Sequence, residues 1–278
     1  MADKTKAKPK AKNPKADKKS IGVDIVSLPK LIPNMLTIMA LCAGLTSLRF
    51  ALTEKWELAV IAILVASIFD ALDGAMARLL KATSKLGAEL DSLSDFLSFG
   101  IAPSLIVYLW FTHEAKGVGW FAAIVFAVAT ALRLGRFNVQ TKKHDKDPKK
   151  KKYSHYFEGV PSPAGAFLAL CPIIVYNYFE IGFFPKFDWA AYVISGWVVI
   201  VALLMVSKVP TFSLKSLKIP KKMTIPLLAF LGLAIAALIT HPWLTLTVIA
   251  FLYVVSIFFS FRSFRKFKKR DNEEFDLF

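Results

Sequence analysis

Eight apolar segments follow one another along the 278-residue chain. They cover residues 31–52, 56–78, 86–111, 118–138, 160–181, 188–206, 225–240 and 242–261. A helix of about 20 apolar residues spans the hydrocarbon core of a bilayer while satisfying its own backbone hydrogen bonds. Pro242 follows the seventh segment at once and favours a helical hairpin over one long helix. The sequence therefore predicts an all-α integral membrane protein with about eight transmembrane helices.

Positive charge is concentrated in alternate connections between these segments. The formal net charge is +16, and the richest runs are residues 1–20, with eight lysines, and residues 142–152, with seven. The other connections carry little charge, mainly Lys55, Lys116 and Lys186. Because lysine and arginine accumulate on the cytoplasmic side, the pattern predicts a multi-pass protein of the cell's inner membrane with both termini in the cytoplasm. The basic runs flank apolar spans, which favours anionic membrane lipids over nucleic acid as partners.

The ends of the chain differ in composition from this apolar block. We expect residues 1–20 to form a disordered basic tail, residues 21–261 a single transmembrane domain and residues 262–278 a charged cytoplasmic tail. Apolar side chains recur at helical spacing within residues 21–28, which predicts a short helix lying in the membrane interface before the first span.

Four aspartates interrupt the second and third apolar segments. Asp70 and Asp73 lie near the predicted inner end of the second, and Asp91 and Asp95 lie near the start of the third. Each pair shares one helical face, so two antiparallel helices would bring four carboxylates to a similar depth. Ionisable groups in hydrocarbon are costly, and four carboxylates repel one another unless a cation lies between them. Ligation by carboxylates alone favours Mg²⁺ or Mn²⁺, which in turn bridge phosphate oxygens.

Small residues and one arginine accompany these carboxylates. Gly74, Ala77 and Gly87 lie on or beside the acidic faces, where they permit close helix packing or leave room for a bulky ligand. Arg78 stays charged and offers a planar fork to a phosphate. Two cations, an arginine and an opening towards lipid would suit a diphosphate attached to an apolar group.

The acidic segment resembles the signature of the CDP-alcohol phosphotransferase family. It reads DxxDGxxAR, then eight residues, then GxxxDxxxD, beginning at Asp70 and ending at Asp95. Members of this family are helical membrane enzymes, usually dimers, that move a substituted phosphoryl group from a CDP-linked donor to an alcohol and release CMP. The resemblance therefore implies the family's fold, a homodimer and two divalent ions, Mg²⁺ or Mn²⁺.

The resemblance also implies a role for each matching residue. The metal ligands would be Asp70, Asp73, Asp91 and Asp95, with Asp95 also acting as the catalytic general base. The CDP-binding residues would be Asn34, Thr37, Gly74, Ala77, Arg78 and Gly87. These roles agree with the chemistry, because cations stabilise charge on the departing CMP while one carboxylate takes a proton from the attacking hydroxyl.

Further stretches are similar to one branch of the family, the bacterial phosphatidylserine synthases. They are residues 91–105, 133–139, 157–166 and 208–220. This similarity implies that CDP-diacylglycerol is the donor and L-serine the acceptor. The serine carboxylate needs a cationic partner, and Arg133 and Arg136, at the cytoplasmic end of the fourth segment, are the candidate acceptor-binding residues.

Other functions remain open from the sequence alone. The acceptor alcohol could be choline, glycerol 3-phosphate or inositol phosphate, because the signature does not specify it. Intramembrane aspartates also mark ion pathways, so an ion-coupled transporter is the alternative from another functional class. The sequence shows no inverted repeat, and the carboxylates lie near one membrane face instead of the midplane, which disfavours a transporter.

Overall fold

The computed structural model describes residues 31–82, 84–144, 156–179, 189–207, 210–212 and 223–257. The predicted basic tail, the predicted interfacial helix and the predicted cytoplasmic tail lie outside the described residues. Every apolar segment of the sequence contributes a helix to the described part.

The helices follow the predicted segments closely. They are α1 (Leu31–Leu52), α2 (Trp56–Leu79), α3 (Lys85–Phe96), α4 (Ala102–Trp110), α5 (Gly117–His144), α6 (Ser162–Phe179), α7 (Ala190–Val206), α8 (Thr224–Thr240) and α9 (Pro242–Ile257). A π-helical turn, Leu97–Ile101, joins α3 and α4 into one apolar span. The predicted all-α membrane architecture is confirmed. Helix α8 ends at Thr240 and α9 begins at Pro242, as predicted.

The spans differ in length. Four of them are long and apolar enough to cross a membrane, namely α1, α2, the joined α3 and α4, and residues 117–139 of α5. The remaining helices, α6 to α9, are apolar but shorter. Large apolar side chains cover much of the outer surface, and α8 has no buried residue at all. Such a surface suits a hydrocarbon environment.

A small two-stranded ribbon adds to the predicted helical fold. Strands β1 (Tyr156–Glu158) and β2 (Pro210–Phe212) pair antiparallel, with Phe157 opposite Thr211. Gly159 follows β1 with a φ of 82°, and a Cβ at this position would lie 2.6 Å from the carbonyl oxygen of Met205 on α7. Only glycine tolerates both the conformation and this close approach. The ribbon therefore joins the connection before α6 to the end of α7.

The core lies between α2, the π-helical turn, α4, α5, α6 and α7. Its fully buried large side chains include Phe99, Ile106, Phe126, Leu168 and Met205. This packed group includes α5, which carries polar residues that interact with the acidic segment.

Helix α1 packs along α2 and α3 and positions the acidic segment. The hydroxyl of Ser94 donates a hydrogen bond of 3.2 Å to the carbonyl oxygen of Thr37, and that of Ser98 donates one of 3.3 Å to Ala40. Gly44 allows this approach, because a Cβ there would lie only 3.0 Å from the Cα of Ser98. The spacing between α1 and the third span is thereby set by small and hydroxylated residues.

Candidate active site

Three of the four aspartates meet between α2 and α3. Asp70, Asp91 and Asp95 each offer a carboxylate oxygen, and the three oxygens lie within 4.8 Å of one another. All three side chains are half-buried. Carboxylates in this arrangement repel one another, so their position fits the binding of a divalent cation.

Asp73 lies beside this group of three and is held by α1. Its side chain is 5% exposed, and its Oδ2 accepts a hydrogen bond of 2.6 Å from Oγ1 of Thr37. Its charge still interacts with those of Asp70 and Asp91. The four predicted carboxylates are thus neighbours, but the closest group within the described residues contains three of them.

Local sequence explains where α3 begins. Ser84 is the N-cap, and its Oγ accepts a hydrogen bond of 2.9 Å from the backbone N–H of Gly87. Starting the helix at Lys85 places Gly87, Asp91 and Asp95 four residues apart along one face, as predicted. The chain reversal between α2 and α3 turns this face towards Asp70 on α2.

The residues predicted to bind CDP lie on the neighbouring parts of α1, α2 and α3. Asn34 approaches Gly87 so closely that a Cβ at Gly87 would lie 2.6 Å from its Oδ1. A Cβ at Gly74 would meet nothing within 4 Å, so open space adjoins this residue. Ala77 is half-buried and Arg78 is exposed, one turn further along α2. The structure therefore leaves room for a ligand beside Gly74, whereas Gly87 is packed against α1.

The two predicted acceptor-binding arginines have different surroundings. Arg133 is half-buried on α5, and its Nη1 donates a hydrogen bond to Oγ of Ser162, the first residue of α6. Its positive charge interacts with Asp95. Arg136 lies one turn later, and its Nη1 donates a hydrogen bond of 2.8 Å to the carbonyl oxygen of Val206 at the end of α7. Arg133 thus interacts with the cluster of Asp70, Asp91 and Asp95, whereas Arg136 connects α5 to α7.

Two further polar residues near the site were not found by sequence reasoning. Asn138 on α5 donates a hydrogen bond of 2.9 Å from Nδ2 to Oγ of Ser92 on α3, which fastens α5 to the acidic helix. Tyr253 on α9 interacts electrostatically with Arg133, although 120 residues separate them in sequence. A single tyrosine in an apolar segment resembles an ordinary residue of the membrane interface. Nothing in the sequence pattern distinguishes Tyr253 from such a residue.

Comparison with known proteins identifies the family. The CDP-alcohol phosphatidyltransferase family model matches residues 30–207, and the model named CDP-alcohol phosphatidyltransferase 2 matches residues 222–257. The first match includes the complete acidic segment of α2 and α3 and both arginines of α5.

Individual relatives agree with this match. Three are proteins named CDP-diacylglycerol–serine O-phosphatidyltransferase. The one from Mycobacterium tuberculosis H37Rv is 34% identical over 85% of this chain and 80% of its own length. The one from Helicobacter pylori J99 is 34% identical over 81% of this chain and 88% of its own length, and the one from Bacillus subtilis 168 is 32% identical over 52% and 74%. This chain therefore belongs to the CDP-alcohol phosphatidyltransferase family of multi-pass membrane proteins.

Proposed function

We propose that this protein transfers the phosphatidyl group of CDP-diacylglycerol to the hydroxyl group of L-serine, which gives phosphatidylserine and CMP. The observation that carries the proposal is the cluster formed by the carboxylates of Asp70, Asp91 and Asp95. Their oxygens lie within 4.8 Å of one another, and Arg133 interacts electrostatically with Asp95. The relatives that cover most of this chain carry the name of this serine-specific activity.

The carboxylates fit divalent cations of the Mg²⁺ or Mn²⁺ type. Their donor set contains oxygen only, as these ions prefer, and several negative charges in a half-buried space need a cationic partner. Asp70, Asp91 and Asp95 would hold two such ions, with Asp73 completing the set. When bound, the ions supply positive charge that neutralises the diphosphate and stabilises the departing CMP.

The CDP part of the donor is proposed to lie at the same ends of α1, α2 and α3. Gly74 adjoins open space that a nucleotide can fill, and Arg78 exposes a guanidinium group able to pair with the diphosphate. Asn34, Ala77 and Gly87 complete this pocket. Thr37 contributes indirectly, since its hydroxyl group already holds Asp73.

Asp95 is proposed to act as the general base. It accepts the proton of the serine hydroxyl while the serine oxygen attacks the phosphorus bonded to diacylglycerol. A bond forms between this oxygen and the phosphorus, and the bond from the same phosphorus to the oxygen bridging to the cytidine phosphate breaks. CMP departs with that bridging oxygen. Arg133 and Arg136 orient the acceptor by attracting its carboxylate, and the closeness of Arg133 to Asp95 favours the first of the two as the main contact.

The proposed orientation follows the distribution of positive charge. The active site and both termini lie on the cytoplasmic side of the cell's inner membrane, where the basic connections contact anionic lipids. Residues 21–261 form one catalytic domain flanked by a basic tail at 1–20 and a charged tail at 262–278. Two copies assemble as a homodimer, as is usual in the family.

Identification of the lipid product tests the proposal. Purified protein in detergent receives CDP-diacylglycerol, Mg²⁺ or Mn²⁺ and isotope-labelled L-serine, and the lipid extract is examined by mass spectrometry. The proposal predicts labelled phosphatidylserine that is missing when EDTA replaces the metal. Formation of a different lipid from choline, glycerol 3-phosphate or inositol phosphate, but none from serine, would contradict the serine assignment.

A further inference from the structure

Four buried side-chain polar atoms in the described residues have no hydrogen-bond partner, and two of them belong to Arg133 and Tyr253. Within the described residues, Nε of Arg133 and Oη of Tyr253 are both shielded from solvent and unpaired. Buried donors are nearly always satisfied in folded proteins, so each unpaired group asks for an explanation. A bound molecule that accepts hydrogen bonds would supply one.

The two unpaired atoms belong to side chains that interact electrostatically. The charge of Arg133 interacts with Asp95 and also with Tyr253. The Nη1 of Arg133 is already engaged with Ser162. This bond orients the guanidinium group, and the Nε donor is still available.

The other surroundings of Tyr253 are apolar. It lines a cavity of about 220 Å³ together with side chains of α2, α6, α8 and α9, among them Leu64, Phe167, Leu246 and Ile249. Apart from Tyr253 itself, the side chains around this cavity are all apolar and offer no acceptor for a phenol hydroxyl group. A buried tyrosine generally places its ring in apolar surroundings and its hydroxyl group at a polar partner. Arg133 is the charged side chain that interacts with this tyrosine.

We infer that Tyr253 is an acceptor-binding residue whose hydroxyl group, together with Nε of Arg133, binds the carboxylate of the incoming serine. The inference rests on the proposed serine transfer and extends it to α9. Both groups are hydrogen-bond donors, and a carboxylate has oxygens to accept from each. The positive charge of Arg133 disfavours the serine ammonium group at the same position.

This assignment adds a residue from a separate part of the chain. The family model that covers the acidic segment ends at residue 207, and α9 lies within the second match at 222–257. The hairpin of α8 and α9 would therefore complete the acceptor site of the catalytic segment. It would also favour serine over an acceptor without a carboxylate, such as choline.

Replacing Tyr253 by phenylalanine in the full-length purified protein tests this role. Loss of a hydrogen bond to a charged group predicts a rise in the KM for L-serine on the order of 10- to 100-fold. The KM for CDP-diacylglycerol should stay unchanged. Serinamide keeps the hydroxyl and ammonium groups of serine but lacks the carboxylate, so the preference for serine over serinamide should fall by a similar factor. Tyr192→Phe on α7 is the matched control, because Tyr192 is 50% exposed on the outer surface.

The outcomes separate this inference from the proposed function. An unchanged serine KM in Tyr253→Phe, or an equal rise for serine and serinamide, would overturn the role of Tyr253 while the wild type still makes phosphatidylserine. Absence of serine-dependent CMP release from the wild type would instead overturn the proposed function and this inference with it. The preference for serine over serinamide is a ratio of two rates measured on one sample, so a partial loss of folded protein does not change it.

Discussion

Thr37 on α1 donates a hydrogen bond of 2.6 Å to the carboxylate of Asp73 on α2. The same threonine accepts a hydrogen bond at its carbonyl oxygen from Ser94, which lies on α3 between Asp91 and Asp95. One residue of α1 therefore contacts both helices of the acidic segment. The relative positions of Asp73 and the other carboxylates depend on this contact.

Replacing Thr37 by valine should weaken metal binding without unfolding the protein. Valine keeps the shape of threonine but removes the hydroxyl group that holds Asp73, and loss of such a supporting partner typically costs about 10- to 100-fold in metal affinity or activity. Titration of CMP release with Mg²⁺ or Mn²⁺ measures the effect. Thr37→Ser keeps the hydroxyl group and serves as the control, and equal metal dependence in both variants would contradict the positioning role.

Asparagine substitutions should divide the aspartates by role. Asp95→Asn is expected to retain CDP-diacylglycerol binding while kcat falls by about 10²- to 10⁴-fold, the usual contribution of a general base. Asp70→Asn and Asp91→Asn should weaken metal binding more strongly than Asp95→Asn does. Calorimetric titration of each variant with metal and with CDP-diacylglycerol separates these effects.

A matched control for these variants lies at the opposite end of α2. Glu57 is exposed in the first turn of the helix, 13 residues before Asp70. Glu57→Gln should therefore behave as the wild type. Equal metal affinity in the Asp70, Asp91 and Asp95 variants would disprove the division between metal ligands and general base.

Gly74→Ala should reduce donor binding without reducing stability. A Cβ at Gly74 meets no atom within 4 Å, so the protein has room for it, and alanine favours the helix by up to about 1 kcal/mol over glycine. A nucleotide packed against the Gly74 backbone would nevertheless collide with the added methyl group. Gly232→Ala on α8 has the same open space and should reduce neither donor binding nor stability. A wild-type KM for CDP-diacylglycerol in Gly74→Ala would place the nucleotide elsewhere.

The two arginines of α5 should respond differently to lysine substitution. Arg133→Lys removes the planar fork next to Asp95, so a rise in the KM for serine by about tenfold or more is expected. Arg136→Lys loses the bond to the carbonyl oxygen of Val206 and should mainly lower the melting temperature, with a smaller effect on serine. Steady-state kinetics and thermal unfolding distinguish the two, and a larger serine effect at Arg136 would reverse the assignment.

Sequence patterns predicted the helical spans because hydrocarbon permits few alternatives to a helix. The apolar runs and Pro242 were sufficient to place the helices, although α5 continues six residues beyond its predicted segment. The π-helical turn at Leu97–Ile101 was not predicted, since its residues continue the apolar run and the extra residue per turn leaves no trace in composition. The strands β1 and β2 were too short for an alternating pattern to appear.

The acidic site was predictable for a local reason. Helical spacing places Asp91 and Asp95 on one face, and a short reversal brings Asp70 opposite them, so only two adjacent helices had to be considered. The bond between Thr37 and Asp73 and the approach of Tyr253 to Arg133 arise from packing between helices distant in sequence. One sequence contains no signal for such contacts, and only the tertiary structure reveals them.

The most direct test of serine phosphatidyl transfer is the rate of CMP release by the purified protein from CDP-diacylglycerol, with L-serine and without any acceptor. The assay contains Mg²⁺ or Mn²⁺ and is repeated with choline, glycerol 3-phosphate and inositol phosphate, and with Asp95→Asn. The proposed function predicts rapid release that requires both serine and metal and is lost in Asp95→Asn. Release supported by another acceptor but not by serine would contradict the acceptor assignment, and no release under any condition would contradict the enzymatic function itself.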